Sequence, residues 1–180
     1  MRIIGGKYRG KKLLSPVGKA VRPTAERARE AVFNILYSHL DIEFEELSVA
    51  DIFAGTGAFG LEAISRGFKS ATFVDMDITT VTHNAKMFLT EQNKIKIIKA
   101  NALNLPRLKN QFNIVFMDAP YAKGLTEKVL SQIIMKNWLN DSGLCIAEIR
   151  QDENIVIPDT LELIDERLYG LARILFLRRK

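Results

Sequence analysis

From residue 47 onward, short apolar runs alternate with segments of helical spacing, and this alternation constrains the fold more than any other feature. The predicted strands are LSVADIF, SATFVD, KIKIIKA, FNIVFMD and SGLCIAEI. The segments between them, such as FGLEAISRG and LTEKVLSQIIMK, are predicted to be helices. The helix after SATFVD is predicted to continue through Met87 and Leu89. Residues 160–179 add two antiparallel strands. We therefore predict an α/β fold with a mostly parallel sheet and helices on both faces. Ligands of such sheets bind beyond the carboxyl ends of the strands.

Positive charge is concentrated at the N-terminus. Residues 1–30 contain nine Lys and Arg and two Glu, a net charge of +7, whereas the whole chain carries +5. The other 150 residues therefore sum to −2. Such a patch indicates a polyanionic partner. Because its bases alternate with apolar residues and glycines, we predict that residues 1–14 form a hairpin. We divide the chain into a basic hairpin and loop, 1–22, and a main domain, 23–180. Thr24 is a candidate N-cap for a helix that reaches about Leu40.

Several classes of protein are disfavoured by composition. The chain has one cysteine, Cys145, which excludes an internal disulfide and is typical of a reduced compartment. No apolar run reaches the roughly 20 residues of a membrane helix, and the N-terminus lacks a signal-peptide core. The two histidines, His39 and His83, are far apart, so we expect no metal site. We expect a cytoplasmic protein that has no membrane partner.

Gly55, Gly57 and Gly60 follow the first predicted strand of the main domain in a G-x-G-x-x-G pattern. Glycines there let the backbone turn sharply and approach a ligand. Asp75, at the end of the next strand, is suited to bind ribose hydroxyls. Asp51 distinguishes two nucleoside cofactors. A carboxylate beside the turn would repel the pyrophosphate of a dinucleotide, but it suits the cationic sulfonium and ammonium of S-adenosylmethionine.

The tetrapeptide Asp118-Ala119-Pro120-Tyr121 follows the fourth predicted strand of the main domain. An exocyclic amine on a nucleobase is a poor nucleophile, because its lone pair is conjugated with the ring. The Asp118 carboxylate and the Ala119 carbonyl could accept its two hydrogens and turn the lone pair toward a methyl group. Tyr121 could stack on the base. A paired base cannot enter such a pocket, so the target would be flipped or unpaired.

The residues alone thus favour methylation of a nucleobase amine, but they leave three alternatives to an RNA-methylating enzyme open. An adenine-N6 or cytosine-N4 DNA methyltransferase would use the same amine chemistry, but a chain of 180 residues leaves little room for a DNA-recognition domain. A catalytically inactive, methyltransferase-like RNA-binding protein is disfavoured by the intact Asp118 and Tyr121. A dinucleotide oxidoreductase is disfavoured by Asp51.

VADIFAGTGAFGLEAISRG, FVDMD, KANAL and MDAPY resemble motifs I to IV of the class I methyltransferases. RIIGGKYRGKKL and RPTAERAREAVFNIL resemble the N-terminal signature of the bacterial 16S rRNA guanine-N2 methyltransferases of the RsmD type. The likeness spans nearly the whole chain and implies a Rossmann-like class I fold with seven strands and an N-terminal β-hairpin. It implies S-adenosylmethionine as cofactor and 16S rRNA as partner, within the small ribosomal subunit or an assembly intermediate. We expect a monomer.

The resemblance also assigns residues to three groups. Those of the cofactor site are Asp51, Phe53, Ala54, Gly55, Thr56, Gly57, Asp75, Met76, Asn101, Ala102 and Asp118. Those of the catalytic amine pocket are Asp118, Ala119, Pro120 and Tyr121. Those that contact RNA are Arg2, Lys7, Arg9, Lys11, Lys12, Arg22 and Thr24. The family usually has proline where this chain has Ala119. We expect a looser turn there with the same chemistry, since the carbonyl is retained and the following proline still favours extended backbone.

Overall fold

A computed structural model describes residues 1–15, 23–39, 43–120 and 124–180. The strands are β1 Ser48–Ile52, β2 Ser70–Asp75, β3 Ile95–Lys99, β4 Phe112–Asp118, β5 Leu139–Arg150, β6 Leu161–Tyr169 and β7 Ala172–Arg179. The helices are α1 Pro23–His39, α2 Ala58–Ser65, α3 Thr79–Ala85 and α4 Leu125–Met135. No described helix is both long and apolar enough to cross a membrane.

All seven strands form one sheet in the order β3-β2-β1-β4-β5-β7-β6. Strands β1 to β5 run parallel, and β7 pairs antiparallel with both β5 and β6. The predicted mostly parallel sheet is therefore confirmed, as is the antiparallel pair at the C-terminal end. Strand order reverses at β1, which lies between β2 and β4. The carboxyl ends of β1 and β4 thus border the switch point at which α/β sheets bind ligands.

Both faces of the sheet are covered, because alternate strand residues point to opposite sides. One face packs against α1, α2 and α3, where the Phe59 and Phe116 rings stack with centroids 3.8 Å apart. The other face packs against α4 and the buried Trp138. The Trp138 indole donates a hydrogen bond of 2.8 Å to the Pro106 carbonyl, so its polar atom is satisfied despite burial. The two packed layers hold the strand ends in fixed positions.

The N-terminal hairpin is present, but it is paired by a single antiparallel bridge between Arg2 and Lys12. The Ile3 N–H donates to the Lys11 carbonyl at 2.9 Å, and the Leu13 N–H donates to the Met1 carbonyl at 3.0 Å. We call residues 1–15 the N-terminal arm. Buried Ile3 and Leu13 join the core that also contains α1 and α2. The arm therefore packs on the domain instead of projecting from it.

Two predicted helix boundaries differ from the structure. Helix α1 begins at Pro23, so Thr24 lies inside its first turn and is not the predicted N-cap. Proline is favoured at the first helical position, because the backbone N–H that it lacks would have no partner within the helix. Helix α3 ends at Ala85, although the apolar spacing predicts that it continues through Met87 and Leu89. The Phe88 N–H bonds the Ala85 carbonyl, a tighter i to i+3 turn, and a 3-10 helix follows over Leu89–Lys94.

Candidate functional site

The glycine turn after β1 has a left-handed backbone. Phe53, Gly55 and Gly57 have φ values of 62°, 53° and 75°. For phenylalanine this conformation is strained, and strained backbone is concentrated at functional sites. A β-carbon on Gly57 would lie 2.7 Å from a methyl carbon of Val81 on α3, so close packing also requires glycine there. The exposed Gly55 at the bend leaves backbone available to a ligand.

Asp51 lies on β1 just before this turn and is 2% exposed. Its carboxylate accepts a hydrogen bond of 2.9 Å from the N–H of Gly60, in the first turn of α2. Burial raises the pKa of Asp51 to about 8, and repulsion from Asp118 and Asp75 adds to that effect. The sequence indicates a carboxylate beside the turn. The structure shows that it lies beneath the turn, where its negative charge is unstable without a nearby cation.

Asp75 ends β2 on the other side of the turn. One carboxylate oxygen accepts from the Gly55 N–H at 2.8 Å, and the other accepts from the Asp77 N–H at 3.0 Å. Each oxygen keeps further lone pairs for a ligand, since a carboxylate offers about four acceptor sites. The next residue, Met76, is 66% exposed and offers an apolar surface at the same edge.

Asn101 and Ala102 follow β3, the next strand along. The Asn101 side chain caps a short 3-10 helix over Ala102–Asn104 by accepting from the Leu103 N–H at 2.9 Å. Asn101 is exposed, whereas Ala102 is buried. The structure therefore brings the carboxyl ends of β3, β2 and β1 together in sheet order, and the predicted cofactor residues lie along this edge.

On the other side of β1, the predicted amine pocket follows β4. Ile52 and Met117 are register partners on the parallel strands β1 and β4. Asp118, the next residue, is exposed and begins the Asp-Ala-Pro turn beside the glycine turn. Ala119 is 3% exposed, whereas Pro120 is exposed. Tyr121, the predicted stacking residue, lies outside the described residues.

Glu148, near the end of β5, is the register partner of Asp118 on β4. It is partly buried. Burial, with the charge of Asp118, raises the pKa of Glu148 to about 7. Among the described residues, its carboxylate makes no hydrogen bond or ion pair. Its only sequence signal was an acid at the end of an otherwise apolar strand.

The predicted RNA-contacting residues have different environments in the structure. Lys7 forms an ion pair of 2.7 Å with Glu91, and Arg2 forms one of 3.2 Å with Glu26. Lys11 donates to the Met87 carbonyl at 3.0 Å. Arg9 and Lys12 are exposed. Arg22 and the Thr24 side chain lie outside the described part of the chain.

Glu62 of α2, which sequence reasoning missed, fastens the arm to the domain. It is fully buried, and its carboxylate accepts from the Ile4 N–H at 2.8 Å and the Gly5 N–H at 2.7 Å. Arg66 donates to it at 2.8 Å, and the Arg29 guanidinium lies 3.6 Å away. An acid within the apolar helix AFGLEAIS was the available signal, because unpaired charges are rarely buried.

Asn84 of α3 connects the arm to the glycine turn. It is fully buried, and its side-chain N–H groups donate to the Leu14 carbonyl at 3.0 Å and the Thr56 carbonyl at 2.8 Å. Its side-chain oxygen accepts from the Leu14 N–H at 2.8 Å. The Asn84 side-chain amide therefore fixes the end of the basic arm relative to the candidate cofactor turn.

The chain is similar to known proteins over nearly its whole length. A family model described as conserved hypothetical protein 95 matches residues 1–178. Ribosomal RNA small subunit methyltransferase D of Escherichia coli K12 is 34% identical, over 94% of this chain and 85% of its own length. The protein of the same name from Haemophilus influenzae is 30% identical, over 96% of this chain and 90% of its own length.

A solved structure extends the similarity to three dimensions. The Escherichia coli protein yhhF, which carries a methyltransferase designation, matches 100% of this chain and 98% of its own with a TM-score of 0.82 and 33% identity. The predicted Rossmann-like class I methyltransferase fold is confirmed by this match and by the strand order. The chain therefore belongs to the conserved hypothetical protein 95 family of methyltransferases, as the resemblance predicts.

Proposed function

We propose that this protein transfers a methyl group from S-adenosylmethionine to the exocyclic N2 amine of a guanine in 16S ribosomal RNA. One observation carries the proposal: the Asp118 turn and the glycine turn follow neighbouring parallel strands at the switch point of the sheet. The relatives' names, which specify small-subunit ribosomal RNA, support the class of substrate.

The chemistry of the glycine-turn edge fits S-adenosylmethionine. Asp75 lies at this edge, and Asp51, whose pKa burial raises to about 8, is stabilised as a carboxylate when a cation binds above it. Both acids therefore favour a cationic ligand over a pyrophosphate. We assign the ribose hydroxyls to Asp75, the adenine to Asn101, Ala102 and the exposed Met76, and the methionine part to the turn above Asp51. When bound, the cofactor would supply a methyl group on a positively charged sulfur.

The chain's own residues would orient the amine and remove its proton. We assign one amine hydrogen to the Asp118 carboxylate and the other to the Ala119 carbonyl, so that the nitrogen lone pair turns away from the ring. The nitrogen gains a methyl group and loses a proton, and Asp118 accepts that proton. Because Asp118 is exposed, the proton can then pass to solvent. Most of the rate would come from holding the two reacting atoms in line.

We further propose that the N-terminal arm, within the extension 1–22, binds the RNA backbone. Arg2, Lys7, Arg9 and Lys12 are all exposed, but Arg2 and Lys7 form ion pairs with Glu26 and Glu91. Arg9 and Lys12 make no ion pair with the described residues, so they are the bases most available to phosphates, and Lys7 and Lys11 support the arm through contacts to the domain. Phosphate contacts of this kind position the RNA without reading its sequence, so the choice of base would belong to the residues at the carboxyl edge of the sheet.

The test is incubation with S-adenosylmethionine carrying a radiolabelled methyl group, offered separately with 16S rRNA, small ribosomal subunits and duplex DNA. We expect N2-methylguanosine in digests of one of the two RNA substrates. N6-methyladenine or N4-methylcytosine in DNA would replace the proposal with a DNA methyltransferase. RNA binding without methyl transfer to any substrate would indicate an inactive RNA-binding protein.

The active role of Asp118 has its own test. Asp118→Ala should lower turnover at least about a hundredfold, within the usual range for loss of a general base, while the dissociation constant of S-adenosylhomocysteine stays near that of the wild type. Asp141→Ala is the matched control, because Asp141 is 95% exposed near the start of β5, far from the carboxyl edge. Near-normal turnover of Asp118→Ala would remove Asp118 from the reaction.

A further inference from the structure

Glu148 and Asp118 form a pair of carboxylates on one face of the sheet. They are register partners on the neighbouring parallel strands β5 and β4. Ile146 and Phe116, two residues earlier on the two strands, are also partners, and both point into the core beneath α1 and α2. Because side chains alternate along a strand, Glu148 and Asp118 point to that same side. Their backbones lie about 4.8 Å apart, which is the spacing of neighbouring strands.

Nothing in the described structure explains why Glu148 is an acid. Its carboxylate has no ion-pair or hydrogen-bond partner among the described residues, and it lies beside the charge of Asp118. Partial burial next to a like charge destabilises the ionised form. A methionine or leucine would pack at this position without that cost. An acid at such a position is therefore best explained by a hydrogen-bond donor on the substrate.

The Watson–Crick edge of guanine carries such a donor next to the methylated amine. The N1–H of guanine is adjacent to N2, so a base whose amine meets Asp118 presents a second donor at its neighbouring ring atom. Adenine and cytosine differ at that atom. Their ring nitrogen next to the amine, N1 or N3, is an acceptor whose lone pair would face a carboxylate and be repelled.

We propose that the Glu148 carboxylate accepts the N1–H of the target guanine while Asp118 accepts from the N2 amine, which makes Glu148 the residue that selects guanine. The inference rests on the proposed function, because it places the guanine amine at Asp118. This role for Glu148 adds a residue that recognises the base, and it lies on β5, a strand that the predicted amine pocket does not include. Glutamate is one methylene longer than aspartate, so it can reach along the base edge from the neighbouring strand.

The test compares two bases at the methylated position. Small subunits are reconstituted with 16S rRNA that carries either guanine or 2-aminopurine at the position mapped by nucleoside analysis, introduced by splint ligation. 2-Aminopurine keeps the 2-amino group but has an unprotonated N1 acceptor. Wild type should prefer guanine by about 10- to 100-fold in kcat/KM, the discrimination typical of one well-formed set of base contacts.

Glu148→Gln should reduce that preference to within a few-fold, because an amide can accept from guanine N1–H or, after rotation, donate to N1 of 2-aminopurine. Glu148→Ala should lower guanine turnover and leave the turnover of 2-aminopurine unchanged. The control is Glu162→Gln, an exposed glutamate on the edge strand β6, which should keep the wild-type ratio. Binding of S-adenosylhomocysteine should be unchanged in every variant, which shows that each one folds.

The outcomes separate this inference from the function on which it rests. If wild type forms no N2-methylguanosine on any RNA substrate, the proposed function fails. If wild type methylates guanine and Glu148→Gln keeps the full preference over 2-aminopurine, only the role of Glu148 is overturned. The role of Glu148 is also overturned if Glu148→Ala methylates guanine as fast as the wild-type protein does. That comparison needs guanine alone, so it still decides the question if no variant methylates 2-aminopurine at a measurable rate.

Discussion

Replacing Glu62 with glutamine should destabilise the whole protein, because this one carboxylate joins the N-terminal arm to α2. Glu62 is fully buried and accepts from the Ile4 and Gly5 N–H groups at 2.8 and 2.7 Å. It also accepts from Arg66 at 2.8 Å and lies 3.6 Å from the buried Arg29 guanidinium. Burial lowers the pKa of Arg29, and the charge of Glu62 opposes that effect.

Glutamine keeps the shape of Glu62 but removes its charge and turns one acceptor oxygen into a donor. One of the arm's N–H groups or Arg66 would then face an N–H, and two buried cations would lose their counter-ion. Breaking a buried ion pair from one side costs about 3–5 kcal/mol. At about 2–4 °C per kcal/mol for a chain of this size, Tm should fall by roughly 6–20 °C.

The assay is thermal unfolding followed by circular dichroism, together with limited trypsin digestion at the lysines and arginines of the arm. The matched control is Glu26→Gln, which breaks the arm's exposed ion pair with Arg2. Exposed pairs contribute about 0–1 kcal/mol, so that control should change Tm by only a few degrees. A Glu62→Gln protein that melts as the Glu26→Gln protein does, and resists trypsin equally, would refute the assignment of Glu62 as the anchor.

Three further predictions follow from the turn, the arm and the charged edge. Because burial raises the pKa of Asp51 to about 8, its carboxylate ionises as the pH rises toward 8, and the affinity for S-adenosylmethionine should increase by up to about tenfold for each pH unit of that rise. Calorimetry should show a weaker pH dependence for S-adenosylhomocysteine, and also for S-adenosylmethionine binding to Asp51→Asn. Equal pH dependence in all three cases would contradict this prediction. Gly6 and Gly10 both have left-handed backbone, with φ values of 73° and 85°, but of the two only Gly6 would place a β-carbon against the backbone of α2. Gly6→Ala should therefore lower Tm more than Gly10→Ala does, and equal decreases in Tm would exclude that clash. Replacing the exposed Arg9 and Lys12 with alanine should make the plot of log RNA affinity against log salt concentration shallower, by about one unit of slope for each phosphate that the variant no longer neutralises. Filter binding over a series of salt concentrations measures this slope, and an unchanged slope would mean that the RNA does not bind these two residues.

Much of the fold could be predicted from the sequence because its signals are local. Apolar runs such as SATFVD define a strand within a few residues, and the alternation with helices restricts the sheet to parallel connections. The carboxyl ends of parallel strands share one edge, so Asp75, the glycine turn and Asp118 could be expected together before any strand order was known. Helix ends were predicted less well, because the end of α3 depends on tight turns around Phe88 that periodicity does not encode.

What only the tertiary structure decided concerns residues far apart in the chain. Glu148 lies beside Asp118 because β5 pairs with β4 in a particular register, and no local pattern specifies which residue of one strand faces which residue of another. The anchoring of Ile4 and Gly5 by Glu62 joins residues more than fifty positions apart. Local propensity and periodicity determine where strands, turns and charged groups occur along the chain. Burial and pairing, which depend on the packed molecule, determine whether a charge anchors the structure, faces solvent or lies at the site.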